Sequence, residues 1–209
     1  MRSFDITRHK KKNINTCAKN WAQYNMTLPM KLHIENKPHL TETELLQAQA
    51  LEDVSVKNCA AVGSRALRLL VEKYPMLQSL RWVGNGPTGE EDYRAVVKLL
   101  SLRALNVSGD TGFTTKVCGE LLSRSKTLRY LDVSFCSVND EAFAEVSAPL
   151  VFLNLQGCPE ITDRTLQYVA RIPTLRHLLL GFNDKLTLTG LQALEGSGVQ
   201  IHQARISEI

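Results

Sequence analysis

The sequence predicts an α/β solenoid, with a parallel sheet along one side and helices along the other. Three observations predict it. An apolar-x-x-apolar-x-apolar pattern recurs at a near-constant interval, one position after each copy is held by few residue types, and a helix-start signature follows.

The pattern predicts the strands. Six clear copies are Leu51–Val54–Val56, Leu77–Leu80–Trp82, Leu102–Leu105–Val107, Leu128–Leu131–Val133, Leu150–Leu153–Leu155 and Leu175–Leu178–Leu180. Successive copies start 26, 25, 26, 22 and 25 residues apart. An earlier, weaker copy places Leu32 and Ile34 in the slots of Val54 and Val56, and a closing half-repeat uses Val199 and Ile201 in an unassigned register.

The turn comes next. Three residues after the last apolar position stand Cys59, Asn85, Asp110, Cys136, Cys158 and Asn183. A coil that turns its backbone inward there leaves buried amides needing an acceptor, which Asn or Asp supplies strongly and sulfur weakly. The helices follow from Leu40-Thr41-Glu42, Val62-Gly63-Ser64, Phe113-Thr114-Thr115, Val138-Asn139-Asp140 and Ile161-Thr162-Asp163. Thr41 with Glu44 and Thr88 with Glu91 have capping-box spacing. Residues 64–74, 90–100 and 163–171 carry apolar side chains at helical spacing, and Pro75, Pro149 and Pro173 stop the helices. No such unit buries its own apolar face, so the units must stack.

The segment LNLQGCPEITDRTLQYVARIPTL, residues 153–175, resembles the cysteine-containing repeat of F-box leucine-rich-repeat proteins. It is similar too to the repeats of mitotic-exit antagonist proteins and of coupling-factor-B-like mitochondrial assembly factors. The resemblance covers residues 28–209 and implies a leucine-rich-repeat solenoid, its parallel sheet concave and its helices on the convex side. Residues 1–27 show no F-box-like helical segment; they read as a basic arm and a capping helix, with Cys17, Trp21 and Tyr24 on one apolar face.

Parallel strands bring equivalent positions side by side. The third position of the pattern reads Asp53, Ser79, Ala104, Tyr130, Phe152, His177, and the fifth reads Ser55, Arg81, Asn106, Asp132, Asn154, Leu179. With Phe135 and Phe182 at the eighth, the C-terminal half of the concave face gathers Tyr130, Phe135, Phe152, His177, Leu179 and Phe182, the expected contact site for a protein partner. The competing expectation is that some of them pack internally. Arg103, Arg129 and Arg176 line the second position, interrupted by Val151.

Charge separates the arm from the body. Residues 1–34 are net +6, and the remaining 175 residues are net −2. Arg2, Arg8, Lys10, Lys11, Lys12 and Lys19 are therefore the residues that would meet RNA or an acidic surface, or serve as an import signal.

Other chemistry finds no support. Gly84-Asn85-Gly86-Pro87-Thr88-Gly89 matches G-x-G-x-x-G, but Glu90, Glu91 and Asp92 would repel a phosphate. The five cysteines and five histidines form no four-ligand zinc set and no nucleophile pair. Absent a secretory segment, the thiols are expected to be free in a reducing compartment, and the Asn25 and Asn106 sequons carry no meaning. The expectation is a non-catalytic binding scaffold without cofactor, metal, membrane span or small-molecule substrate. It would be a structural or assembly subunit of a large complex, mitochondrial and of ribonucleoprotein type. The alternative is a substrate-recognition protein related to F-box adaptors, in cytoplasm or nucleus.

Overall fold

The computed structural model describes residues 4–5 and 30–202, and within them one parallel sheet runs in strict chain order. Its nine strands are β1 (Phe4–Asp5), β2 (Lys31–Glu35), β3 (Asp53–Lys57), β4 (Ser79–Val83), β5 (Ala104–Asn106), β6 (Tyr130–Asp132), β7 (Phe152–Asn154), β8 (His177–Leu179) and β9 (Gln200–His202). The expected register is present at every step. Leu32, Val54, Leu80, Leu105, Leu131, Leu153, Leu178 and Ile201 pair in sequence across neighbouring strands. Ile201 thus settles the closing half-repeat in the Leu178 slot, and Val199 precedes the strand. Strand β1 continues the sheet into the segment read as an arm, with Phe4 opposite Leu32. The predicted capping helix lies outside the described residues.

Helices cross back over the sheet between strands: α1 (Glu42–Leu45), α2 (Ser64–Lys73), α3 (Glu90–Val97), α4 (Thr115–Arg124), α5 (Asp163–Val169) and α6 (Leu188–Leu191). The core between the two layers is continuous from Ile34 to Leu194, and the inward apolar slots of β3 through β8 are almost fully buried. Each coil therefore shares its core with both neighbours, as the 25-residue period demands. The coil that is only 22 residues long carries a single 3₁₀ turn, Asp140–Phe143, where its neighbours carry helices. Pro149 and the short interval leave no room for more.

Two local expectations are corrected. The capping box of Thr41 and Glu44 forms as expected, but Thr88 and Glu91 do not make one. Helix α3 starts one residue later, with Gly89 as its cap and the Asp92 carboxylate accepting from the Gly89 N–H at 2.8 Å. Thr88 instead donates its hydroxyl to Asp110 at 2.6 Å. The turn residues also act largely as donors. Asn85 does accept, from the Cys59 N–H at 3.0 Å, but its amide nitrogen donates to the Val56 carbonyl at 2.9 Å. Cys136 donates to the Val107 carbonyl, Cys158 to that of Val133 and Asn183 to that of Leu155, at 3.3, 3.2 and 2.9 Å. In all four cases the acceptor is the last apolar residue of the preceding coil's pattern. That carbonyl points into the core, and a small donor reaching across from the next coil satisfies it.

Candidate functional site

The sheet's outward face is a grid whose rows are set by the pairing. The row of third positions runs Lys31, Asp53, Ser79, Ala104, Tyr130, Phe152, His177, Gln200, and the fifth runs His33, Ser55, Arg81, Asn106, Asp132, Asn154, Leu179, His202. The N-terminal end of this face is neutralised by its own ion pairs. Lys31 meets Asp53 at 2.9 Å and Lys57 meets Glu35 at 2.9 Å, which holds the Glu35 carboxyl below its usual range.

The C-terminal half differs. Tyr130 and Phe152 lie with ring centroids 6.4 Å apart, and Phe135 and Phe182 with centroids 6.3 Å apart. Tyr130, Phe135 and Phe182 are 52%, 57% and 63% exposed, while Phe152, His177 and Leu179 are partly buried. Of the six residues expected to form one cluster, four are thus arranged as two aromatic pairs, while His177 continues the third-position row and Leu179 the fifth. The pairs flank the fifth-position row, where Asp132 accepts from Asn106 at 3.1 Å and from the Ser134 hydroxyl at 2.7 Å.

One candidate residue escaped the sequence. His202 stacks on His177 with centroids 5.6 Å apart and ring nitrogens 3.4 Å apart. The only signal for it was the register of the last half-repeat, unassigned until the strand was seen to pair with β8. The arm residues Arg2, Arg8, Lys10, Lys11, Lys12 and Lys19 lie outside the described residues.

The eighth position carries a feature that no periodicity reveals. In seven successive coils it is left-handed: Asn36, Asn58, Gly84, Gly109, Phe135, Gly157 and Phe182 have φ between +53° and +75°. The conformation turns the N–H at this position onto the next coil, as with Phe135 donating to the Gln156 carbonyl at 2.8 Å and Gly157 to that of Gly181 at 2.9 Å. Glycine and asparagine tolerate this backbone, and phenylalanine does so only at a cost of roughly 1 kcal/mol. Gly157 sits between the two phenylalanines, and a Cβ there would overlap the Phe135 ring.

The four described cysteines belong to the core. Cys59, Cys118, Cys136 and Cys158 are buried and free, and burial pushes the Cys136 thiol up to about 12 and Cys158 to about 11. Protonated, enclosed thiols are poor nucleophiles. Among the described residues no three His, Cys, Asp or Glu side chains are grouped to hold a metal, and no helix is long and apolar enough to cross a membrane. On the helical side, the short coil leaves a cavity of about 310 Å³ bordered by Phe143, Val146, Tyr168 and Arg171.

A family model described as Leucine Rich repeat matches residues 124–142 and 171–194, which carry three of the four paired aromatics, Tyr130, Phe135 and Phe182. The chain has the fold of a leucine-rich-repeat solenoid. A curated relative, F-box/LRR-repeat protein 5 of Danio rerio, is 33% identical over 75 residues, covering 34% of this chain. The chain spans only 11% of that relative's length. A solved structure of the Rad7 and Elc1 complex in yeast overlaps 90% of this leucine-rich-repeat chain and 75% of its own, at 14% identity and a TM-score of 0.34, a level that bears on nothing further. Repeats of this kind make a protein-interaction scaffold, and the sheet face is where this one presents side chains without partners of their own.

Proposed function

We propose that this leucine-rich-repeat protein is a non-catalytic scaffold that docks a protein partner on the C-terminal half of its concave face. The observation that carries the reading is the pair Phe135 and Phe182, exposed on left-handed backbone where five other coils use glycine or asparagine. Strain of this kind is retained where the surrounding structure has a use for it. Exposed, adjacent aromatic rings are the usual anchors of an interface.

The finer proposal is a structural or assembly subunit of a larger complex, of mitochondrial, ribonucleoprotein type. The +6 charge of residues 1–34 supports it, since such an arm suits RNA or an acidic neighbour. Deletion of residues 1–15 is then expected to remove the chain from its complex. The partial match to an F-box/LRR-repeat protein favours a second reading, a substrate-recognition protein.

Replacing Phe135 and Phe182 with asparagine tests the docking surface directly. Asparagine relieves the backbone, so the thermal midpoint should hold or rise while the partner recovered with the tagged wild-type chain is lost. Tyr130→Ala with Phe152→Ala should lose the same partner. Undiminished recovery with both double variants would remove the concave face from consideration.

A further inference from the structure

The charges beside the aromatic pairs indicate what chemistry the partner brings. At the N-terminal end of the sheet face Lys31 and Lys57 have carboxylate partners, as do Arg65, Arg68, Arg94, Arg124 and Lys185 elsewhere. Arg103, Arg129 and Arg176 do not. They are exposed and make no ion pair among the described residues, and Arg176 turns its guanidinium onto the Pro173 and Leu175 carbonyls.

The three arginines each immediately precede β5, β6 and β8, so they form one row directly beside Ala104, Tyr130 and His177. Neither this row nor the aromatic row holds a carboxylate across β5 to β8. The nearest, Asp132, is turned into hydrogen bonds with Asn106 and Ser134. Strands about 4.8 Å apart put the row's ends roughly 14 Å apart, a span that an extended chain covers in four or five residues.

We propose that the occupant of this face is an acidic, extended segment of a partner protein. Its carboxylates meet Arg103, Arg129 and Arg176, and its apolar side chains lie on Tyr130 and Phe152. The proposal rests on the docking surface described above and adds the chemistry of what docks there. Arginine over an aromatic row would also suit single-stranded nucleic acid. The acidic segment is favoured because a peptide can place its carboxylates at the three arginines and an apolar side chain near Asp132, whereas a phosphate backbone carries charge at every step.

The test uses the full chain and three fluorescent probes: a twelve-residue peptide alternating glutamate with leucine and phenylalanine, its glutamine counterpart, and a twelve-nucleotide oligouridylate. The glutamate peptide should bind about tenfold more tightly than the glutamine peptide at low salt, the worth of three exposed ion pairs. R103Q/R129Q/R176Q should remove most of that difference while leaving the thermal midpoint in place. Any contribution of the basic arm is the same in both chains, so the readout is the part of the preference that the substitution removes. A preference for glutamate left undiminished by the triple substitution overturns the proposal, as does failure of either peptide to bind, or oligouridylate being the probe whose binding the substitution abolishes. If both peptides bind equally and both are lost with Phe135→Asn/Phe182→Asn, the docking surface stands and its acidic specificity falls. If the aromatic variant changes neither, the docking surface itself falls.

Discussion

Phe135 and Phe182 show how a single position can answer to two demands. The coil needs a left-handed residue there so that its N–H reaches the next turn, as Phe135 reaches Gln156. On the proposed docking surface the face also needs an apolar anchor, and phenylalanine would meet that second demand at the expense of the first. Gly157 makes the arrangement feasible because it is left-handed at no cost and leaves space for the Phe135 ring. Gly157→Ala is therefore expected to lose about 1–2 kcal/mol, combining the positive-φ penalty with displacement of the ring. Part of the loss should return in Gly157→Ala/Phe135→Gly, because the obstruction is gone. Urea unfolding of the four species measures this, and strictly additive losses would show that the two residues do not meet. Placing these aromatics on the sheet face needed only the repeat register, which is why Tyr130, Phe152 and His177 were legible in the sequence. The left-handed turn was not, because hydrophobic spacing records which side chains point inward and carries nothing about φ.

Between helices, the N-terminal turns do more than cap. Glu90, at the start of α3, accepts from the cap residue of the next coil, Thr114, at 2.9 Å. Thr115 accepts from the Asn139 N–H at 3.0 Å, Asp140 from the Thr162 N–H and hydroxyl at 2.8 and 2.7 Å, and Asp163 from those of Thr187 at 2.9 and 2.7 Å. From α3 onward the first residue of each helical turn thus grips the cap of the next, tying coil to coil along the helical side. The sequence showed the Thr/Asn-then-polar signature and its capping use. It did not show this second use, because the grip joins residues 22–24 apart whose contact depends on the stacking geometry. Asp140 is the most engaged of the set, since Thr165 also donates to it at 2.5 Å. Burial works against its ionised form, but the hydrogen bonds from Thr165 and Thr162 outweigh that and hold its carboxyl below 3.8, the ordinary value. A depressed carboxyl stabilises the fold above its unfolded pKa, and that contribution disappears as pH falls through the folded value. Asp140→Asn should therefore cost about 1–2 kcal/mol at neutral pH, and its deficit relative to wild type should shrink below about pH 4. Denaturant midpoints across that range provide the measurement, and a deficit independent of pH would mean the carboxylate charge is irrelevant to the staple.

Across the whole molecule, stability is passed between neighbours, because each strand pairs only with the strands before and after it. This much was legible from the sequence: a period near 25 residues with aligned apolar slots admits no other burial, and Leu80 through Leu178 line up as that period requires. The entry of Phe4–Asp5 into the same sheet was not legible, since two residues carry no period. Position along the array should then decide what a core truncation does. Leu131 is fully buried on β6 at the centre, whereas Leu32 on β2 is only partly buried. Leu131→Ala is expected to cost about 2–5 kcal/mol, the range for cavity formation at a buried leucine, and Leu32→Ala about 1 kcal/mol. The pattern of loss should also differ. A defect at β6 weakens its contacts with both β5 and β7, so amide exchange should accelerate on both sides of the break and denaturant unfolding should broaden or divide. A defect at Leu32 should loosen β2 and leave β5 through β8 protected. Equal loss of protection from β3 to β8 in both variants would mean that the array unfolds as one unit, and that coupling reaches well beyond adjacent coils.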